Sequence, residues 1–191
     1  MGTTIVRQLN DRFYRLFIPT GIQSNAPLFI NIHPGLSNAE HWQENCGVDA
    51  LAEAAATKFM VAYPYGSGFF YQDPNDDSED AVPIETWNVG RAAGISFLLD
   101  QPDMEFIKRM YHHILNTQDV DPTRVGMGGF SNGGHATYTY ASTWPEDIRF
   151  GIVMAGALML DHDDVVDNVN VPITHIHSLV DAIVLFAGQT P

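Results

Sequence analysis

Residues 12–19 (Arg-Phe-Tyr-Arg-Leu-Phe-Ile-Pro) alternate polar and large apolar positions and stop at proline, the pattern of a partly exposed strand. Residues 27–33 instead run almost unbroken through Leu28, Phe29, Ile30 and Ile32, which predicts a strand covered on both faces of a parallel sheet. The alanine-rich stretch 49–58 predicts a helix and residues 59–63 the next buried strand, together a βαβ unit. Residues 103–118 place Phe106, Met110, Ile114 and Leu115 at helical spacing, with Pro102 suited to the first turn. A short strand at 124–130, a helix of small residues at 132–143 and two further buried strands at 150–155 and 171–176 complete the pattern. This alternation predicts an α/β fold, an open, mostly parallel sheet with helices on both faces, formed as one domain over residues 1–191. Residues 66–94, rich in Gly, Pro, Asp and aromatics and without a sustained period, read as a functional loop region.

Composition fits that picture. The 191 residues are 45% hydrophobic and 17% charged, enough apolar material for one substantial core. A formal net charge of -14 excludes a nucleic-acid partner, which needs a basic stripe. The acids serve solubility or adaptation to salt, and composition does not separate the two. Cys46 is the only cysteine, so no internal disulfide forms. The first residues lack the basic start and apolar run of a signal peptide, and no apolar stretch approaches the ~20 residues needed to span a bilayer.

The chemistry centres on Gly129-Phe130-Ser131-Asn132-Gly133, a G-x-S-x-G pentapeptide between a predicted strand and a predicted helix. Alone it could be an ordinary glycine-rich turn. At this junction the turn exposes a serine hydroxyl, the glycines remove β-carbons from a crowded bend, and the helix start favours negative charge. A nucleophile is the stronger reading.

With these residues in view, the chain resembles the polyhydroxybutyrate depolymerase-like and feruloyl esterase-like branch of the α/β-hydrolases. The likeness rests on residues 14–19, the turn from His33-Pro34-Gly35 through Ala39, Ala62-Tyr63-Pro64, Thr86-Trp87-Asn88, the start of the helix at 103–107, Val120-Asp121-Pro122-Thr123-Arg124-Val125, and Ser131-Asn132-Gly133-Gly134. It implies a carboxylic ester hydrolase without a cofactor, acting on polyester or feruloyl-type substrates through an acyl-enzyme on Ser131. It implies one oxyanion amide at Asn132 and a second on the turn after residues 27–33. There Pro34 stands where the family usually has glycine and has no amide hydrogen, so Gly35 or Leu36 must donate, and Gly35 is the expectation. His33 is read as structural.

Asp181 matches the acid that orients the catalytic imidazole, although Ser178 replaces a usual glycine. The family order is serine, acid, histidine, and no histidine follows Asp181. The resemblance therefore implies an α/β-hydrolase fold lacking its last strand and helix. Truncation, a short protein recruiting another histidine, and a non-catalytic descendant are the alternatives, with truncation or minimisation of an esterase favoured. His135, His175 and His177 are conceivable substitutes, each more simply explained by packing or hydrogen bonding. An exposed sheet edge would follow from a lost strand and predicts homodimerisation or low stability.

Tyr65, Phe70 and Trp87 are expected to line an acyl or aromatic pocket, against the alternative that the loop's aromatics merely anchor it. Asp73, Asn75, Asp77 and Glu79 alternate as in a calcium loop, but Ser78 and Ile84 occupy the positions that need glycine and glutamate, so no metal is expected there. His162 between two aspartates reads as a solvated acidic loop. Two rivals to ester hydrolysis stand: an inactive hydrolase-like binding domain, and metal-dependent hydrolysis through the Asp and His cluster. The resemblance implies an extracellular or periplasmic location, and the lack of a visible signal peptide leaves a cytoplasmic one open.

Overall fold

The computed structural model describes residues 2–71, 82–90, 95–160, 165 and 170–186. Seven strands form one sheet in the order β1-β2-β4-β3-β7-β8-β9. They are β1 (Thr3–Leu9), β2 (Arg12–Ile18), β3 (Ala26–Ile32), β4 (Met60–Pro64), β7 (Val120–Phe130), β8 (Phe150–Met154) and β9 (Ile173–Ile176). β2 runs antiparallel to both β1 and β4; the pairs β3/β4, β3/β7, β7/β8 and β8/β9 are parallel. A separate antiparallel hairpin joins β5 (Ser67–Tyr71) to β6 (Val82–Thr86).

Side-chain alternation along the strands defines two covered faces. Tyr14, Leu16, Leu28, Ile30, Ile32, Met60 and Ala62 point into the main core. There they meet Phe106, Ile107, Met110 and Ile114 of α4 (Asp103–Thr117) and Ala136, Tyr140 and Ala141 of α5 (Asn132–Thr143). The residues between them, Phe17, Phe29, Val61 and Tyr63, face Ala39 of α1 (Ala39–Asn45) and Ala52 of α2 (Val48–Ala54). Burial on both sides accounts for the unbroken apolar runs of β3 and β4. Farther along the second face, Phe29, Trp42, Phe59, Phe150, Ile152 and Met154 border a groove of about 490 Å³.

The sequence pattern missed β1, whose side chains are mostly exposed, and α1, which is only seven residues long. The helix expected over 49–58 is Val48–Ala54. The region expected to be loop, residues 66–94, contains β5 and β6, and the short α3 (Ile95–Leu98) follows it. Each of these strands is five residues long, and their pairing is non-local, so no sustained period marks them. The acidic positions 73–79 and His162 lie outside the described residues.

Candidate active site

Three parallel strands end side by side at one edge of the sheet, and each is followed by a non-glycine residue in the left-handed region: Leu36 (φ 64°) beyond β3, Ser131 (φ 53°) after β7 and Ala155 (φ 47°) after β8. Such residues cost of order 1–3 kcal/mol each and persist where packing over-determines them, often at functional sites. Ser131, the junction between β7 and α5, also has ψ -118°. Its amide donates to the Met154 carbonyl at 2.8 Å, and its carbonyl accepts the His135 amide at 2.9 Å. A serine at a helix N-cap usually turns its hydroxyl onto the helix amides from an extended backbone. Here the backbone is not extended and the side chain caps nothing. Among the described residues the Ser131 hydroxyl has no hydrogen-bond partner, so it is left for an external one.

The turn after β3 is pressed against this elbow. A β-carbon on Gly35 would meet Asn132 Cβ at 3.5 Å, and one on Gly133 would strike the Ile32 and His33 carbonyl oxygens. That second contact is backbone on backbone and has no flexible side chain to yield. We expect Gly133→Ala to destabilise the fold by about 1–3 kcal/mol, the usual range for overpacking, read as a lower urea midpoint at unchanged slope. Of the two candidate donors beyond Pro34, the Leu36 amide is taken by the Glu85 carbonyl at 3.1 Å. The Gly35 amide has no acceptor among the described residues. Asn132 begins α5, where the positive helix end favours an anion.

A strut that sequence reasoning missed fixes both halves. Asn132 Oδ1 accepts the Trp87 amide at 2.7 Å, its Nδ2 donates to the Trp87 carbonyl at 3.4 Å, and the Trp87 indole donates to the His33 carbonyl at 2.9 Å. Trp87 is therefore fully buried. This corrects its expected place in a substrate pocket: the ring holds the turn after β3 onto the elbow and presents no surface to a ligand. Tyr65 is likewise elsewhere. Its hydroxyl lies 3.3 Å from Arg15, and it borders a cleft of about 420 Å³ with Arg12, Phe13, Ser67 and Glu85, whose lining includes none of Gly35, Ser131, Asn132 or Asp181. The Phe70 side chain lies outside the described residues. His33 is wholly buried, its Nδ1 donating to the Pro34 carbonyl at 2.7 Å and its Nε2 accepting the Gly66 amide at 3.0 Å.

Asp181 follows β9, in the turn beyond the next parallel strand end. Its Oδ1 accepts the amides of Ile183 and Val184, each at 2.9 Å, and its Oδ2 lies 3.3 Å from His177 Nε2. The two amides and then His177 hold the carboxyl below its ordinary range, so it is ionised at neutral pH. No ring nitrogen of the three candidate substitute bases hydrogen-bonds Ser131. His135 Nδ1 is 2.8 Å from both the Ala157 amide and carbonyl, and burial holds this ring's pKa below the ordinary value, keeping it neutral. His175 lies between Tyr138 and His177, and His177 between His175 and Asp181. Among the described residues no imidazole hydrogen-bonds the Ser131 hydroxyl, and no three His, Cys, Asp or Glu side chains gather as metal ligands.

Comparison with known proteins places this arrangement. No family model matches the chain. It is 29% identical over 139 residues to the poly(3-hydroxyalkanoate) depolymerase C of Paucimonas lemoignei, covering 73% of this chain and 30% of the relative. It is 28% identical over 120 residues to the feruloyl esterase B of Piromyces equi, covering 61% and 18% respectively. With the S-formylglutathione hydrolase of Paracoccus denitrificans it shares 29% over 111 residues, 53% of this chain and 38% of that one. The chain thus spans well under half the length of these curated relatives. Among solved structures, a thermostable esterase superposes with a TM-score of 0.68 at 17% identity, over 98% of this chain and 49% of its own. An acetyl xylan esterase from Aspergillus awamori gives 0.62 at 18% identity, over 89% and 58%. The fold is that of the α/β-hydrolases, and the relatives in sequence are carboxylic ester hydrolases. No described helix is long and apolar enough to cross a membrane.

Proposed function

We propose that this chain carries the nucleophile and acid of a serine hydrolase that cleaves carboxylic esters through an acyl-enzyme on Ser131. The observation that carries the reading is the unspent hydroxyl of Ser131 on a strained strand-to-helix bend, at the carboxyl edge of a parallel sheet. Ser131 Oγ attacks the ester carbonyl carbon while its proton passes to a base. The carbonyl oxygen becomes an oxyanion that accepts the amides of Gly35 and Asn132. Collapse breaks the ester C–O bond and releases the alcohol, and water then repeats the attack on the acyl-enzyme to free the acid. Asp181 is the carboxylate that orients the imidazole serving as base: its Oδ1 is fixed by two amides, leaving Oδ2 to accept a ring N–H. Substrates of the polyester or feruloyl class agree with the names of the polymer- and feruloyl-directed relatives, and an extracellular or periplasmic site of action would suit polymeric substrates.

A second reading, a hydrolase-like binding domain, is favoured by one observation: among the described residues no ring nitrogen of His135, His175 or His177 hydrogen-bonds Ser131. Covalent labelling separates the two. A fluorophosphonate probe, followed by peptide mass spectrometry, is expected to modify Ser131 in native protein and not after denaturation. Equal labelling of native and denatured chain would instead support the binding domain.

A further inference from the structure

A line of four polar side chains crosses from the surface to the candidate acid. Tyr138 Oη lies 2.8 Å from His175 Nδ1, His175 Nε2 lies 2.9 Å from His177 Nδ1, and His177 Nε2 lies 2.6 Å from the Val184 carbonyl oxygen and 3.3 Å from Asp181 Oδ2. The two imidazoles are nearly coplanar, 20° apart with centroids at 5.1 Å, so the nitrogens meet in the ring planes as an N–H···N hydrogen bond requires. His175 is exposed, whereas the His177 side chain is only 3% exposed.

One end of this line fixes the direction of every bond in it. A carbonyl oxygen only accepts, so His177 Nε2 carries a hydrogen. In the neutral ring Nδ1 then accepts, which makes His175 Nε2 the donor, leaves His175 Nδ1 as acceptor, and turns the Tyr138 hydroxyl towards it. Burial raises the Tyr138 pKa, which keeps that hydroxyl protonated.

Resting on the ester-hydrolase reading of Asp181, we propose that Tyr138, His175 and His177 are positioning residues that hold Asp181 Oδ2 and bring one proton from solvent to His177, beside that carboxylate. A proton taken at His175 Nδ1 turns the Tyr138 hydroxyl round to accept. The N–H bond at His175 Nε2 then breaks as one forms at His177 Nδ1. His175 ends neutral with its hydrogen on Nδ1, and the positive charge ends on His177 beside the carboxylate. The chain reverses and Asp181 Oδ2 becomes half of an ion pair, withdrawn from any imidazole that acts on Ser131.

The groups facing the pair are His135 and Tyr138 from α5, Asp181 from the following turn, and each other. Burial and the charge of His177 hold His175 below the ordinary histidine range, and His135 is lowered by burial and, more weakly, by His177. Each protonated ring opposes protonation of the next, and the Asp181 carboxylate lies 3.3 Å from His177 Nε2.

Imidazole ¹⁵N spectra of the whole chain across pH test this without reference to catalysis. At pH 8 both His175 and His177 are expected to carry hydrogen on Nε2 alone. On acidification both rings should change together, with His175 becoming the neutral Nδ1–H form as His177 becomes doubly protonated. Tyr138→Phe should leave both rings in the Nε2–H form at pH 8, because the Val184 carbonyl sets that direction, and should move the pH at which the two rings change together by at least about 0.5 unit, within the ordinary spread of histidine behaviour. Finding Nδ1–H on His175 at pH 8, or independent titrations unaffected by Tyr138→Phe, overturns the relay. The acid limb of kcat/KM for ester hydrolysis should shift in the same variant. Relay spectra without Ser131-dependent hydrolysis would remove only the ester-hydrolase reading and its use of the relay. Hydrolysis whose acid limb ignores Tyr138→Phe would remove only the relay's role.

Discussion

Ser131→Ala is expected to lower hydrolysis of a short-chain p-nitrophenyl ester by on the order of 10⁴–10⁶-fold wherever an imidazole completes the site, the loss typical of removing a triad nucleophile. The prediction isolates chemistry because the hydroxyl supports no structure: it caps no helix and has no hydrogen-bond partner among the described residues. The strained backbone of residue 131 is kept by its neighbours, through its amide on Met154 and its carbonyl on the His135 amide. Alanine is strained there to the same degree, so stability should move by no more than about 0.5 kcal/mol. Matched thermal unfolding curves together with a lost rate would therefore place the effect on the nucleophile. A wild-type rate no higher than that of the alanine variant would leave the binding-domain reading. A burst of p-nitrophenol equal to the enzyme concentration, absent in the variant, would show the acyl-enzyme directly.

The parts legible in the sequence were those with local signatures. β3 and β4 declared themselves through unbroken apolar runs because both of their faces are covered, and the elbow through glycines whose β-carbons have no room. Proline's missing amide narrowed the second donor to Gly35 or Leu36 and no further, because which of the two amides is engaged depends on Glu85, a residue remote in sequence. Trp87 was misjudged for a physical reason. An aromatic beside a loop has the same composition whether it lines a pocket or fills one, and only tertiary contacts separate the cases. Its indole reaches a carbonyl 54 residues away, on another strand end. The signal that was available was Asn132: a polar residue just after the nucleophile and buried in α5 needs partners, and the backbone of Trp87 supplies them. The histidine line behaves similarly. His175 on β9 and His177 just beyond its end are two residues apart and meet each other, but Tyr138 comes from α5, beyond any local pattern.

Asp103→Ala will lower stability by about 3–5 kcal/mol, the usual result of removing one member of a buried ion pair. Asp103 is fully buried at the first turn of α4 and gathers four elements. Its Oδ1 accepts Arg12 of β2 and the Ser67 hydroxyl of β5, both at 2.7 Å, and its Oδ2 accepts the Asn88 amide at 2.8 Å. Truncation leaves the Arg12 guanidinium, only 14% exposed and stacked 4.3 Å over the Phe106 ring, without its carboxylate and with the neutral Tyr65 carbonyl at 2.9 Å in its place, and leaves two further donors unsatisfied. For a chain of this size the loss corresponds to a fall in Tm of roughly 10 °C or more. The effect should also reach the site, because Asn88 adjoins the Trp87 strut that pins the turn after β3 to Asn132. Fluorophosphonate labelling of Ser131 in the folded variant, well below its Tm, should be slower than in the parent. A Tm within 2–3 °C of the parent would mean that Arg12 finds another partner and that the carboxylate does not hold these elements together.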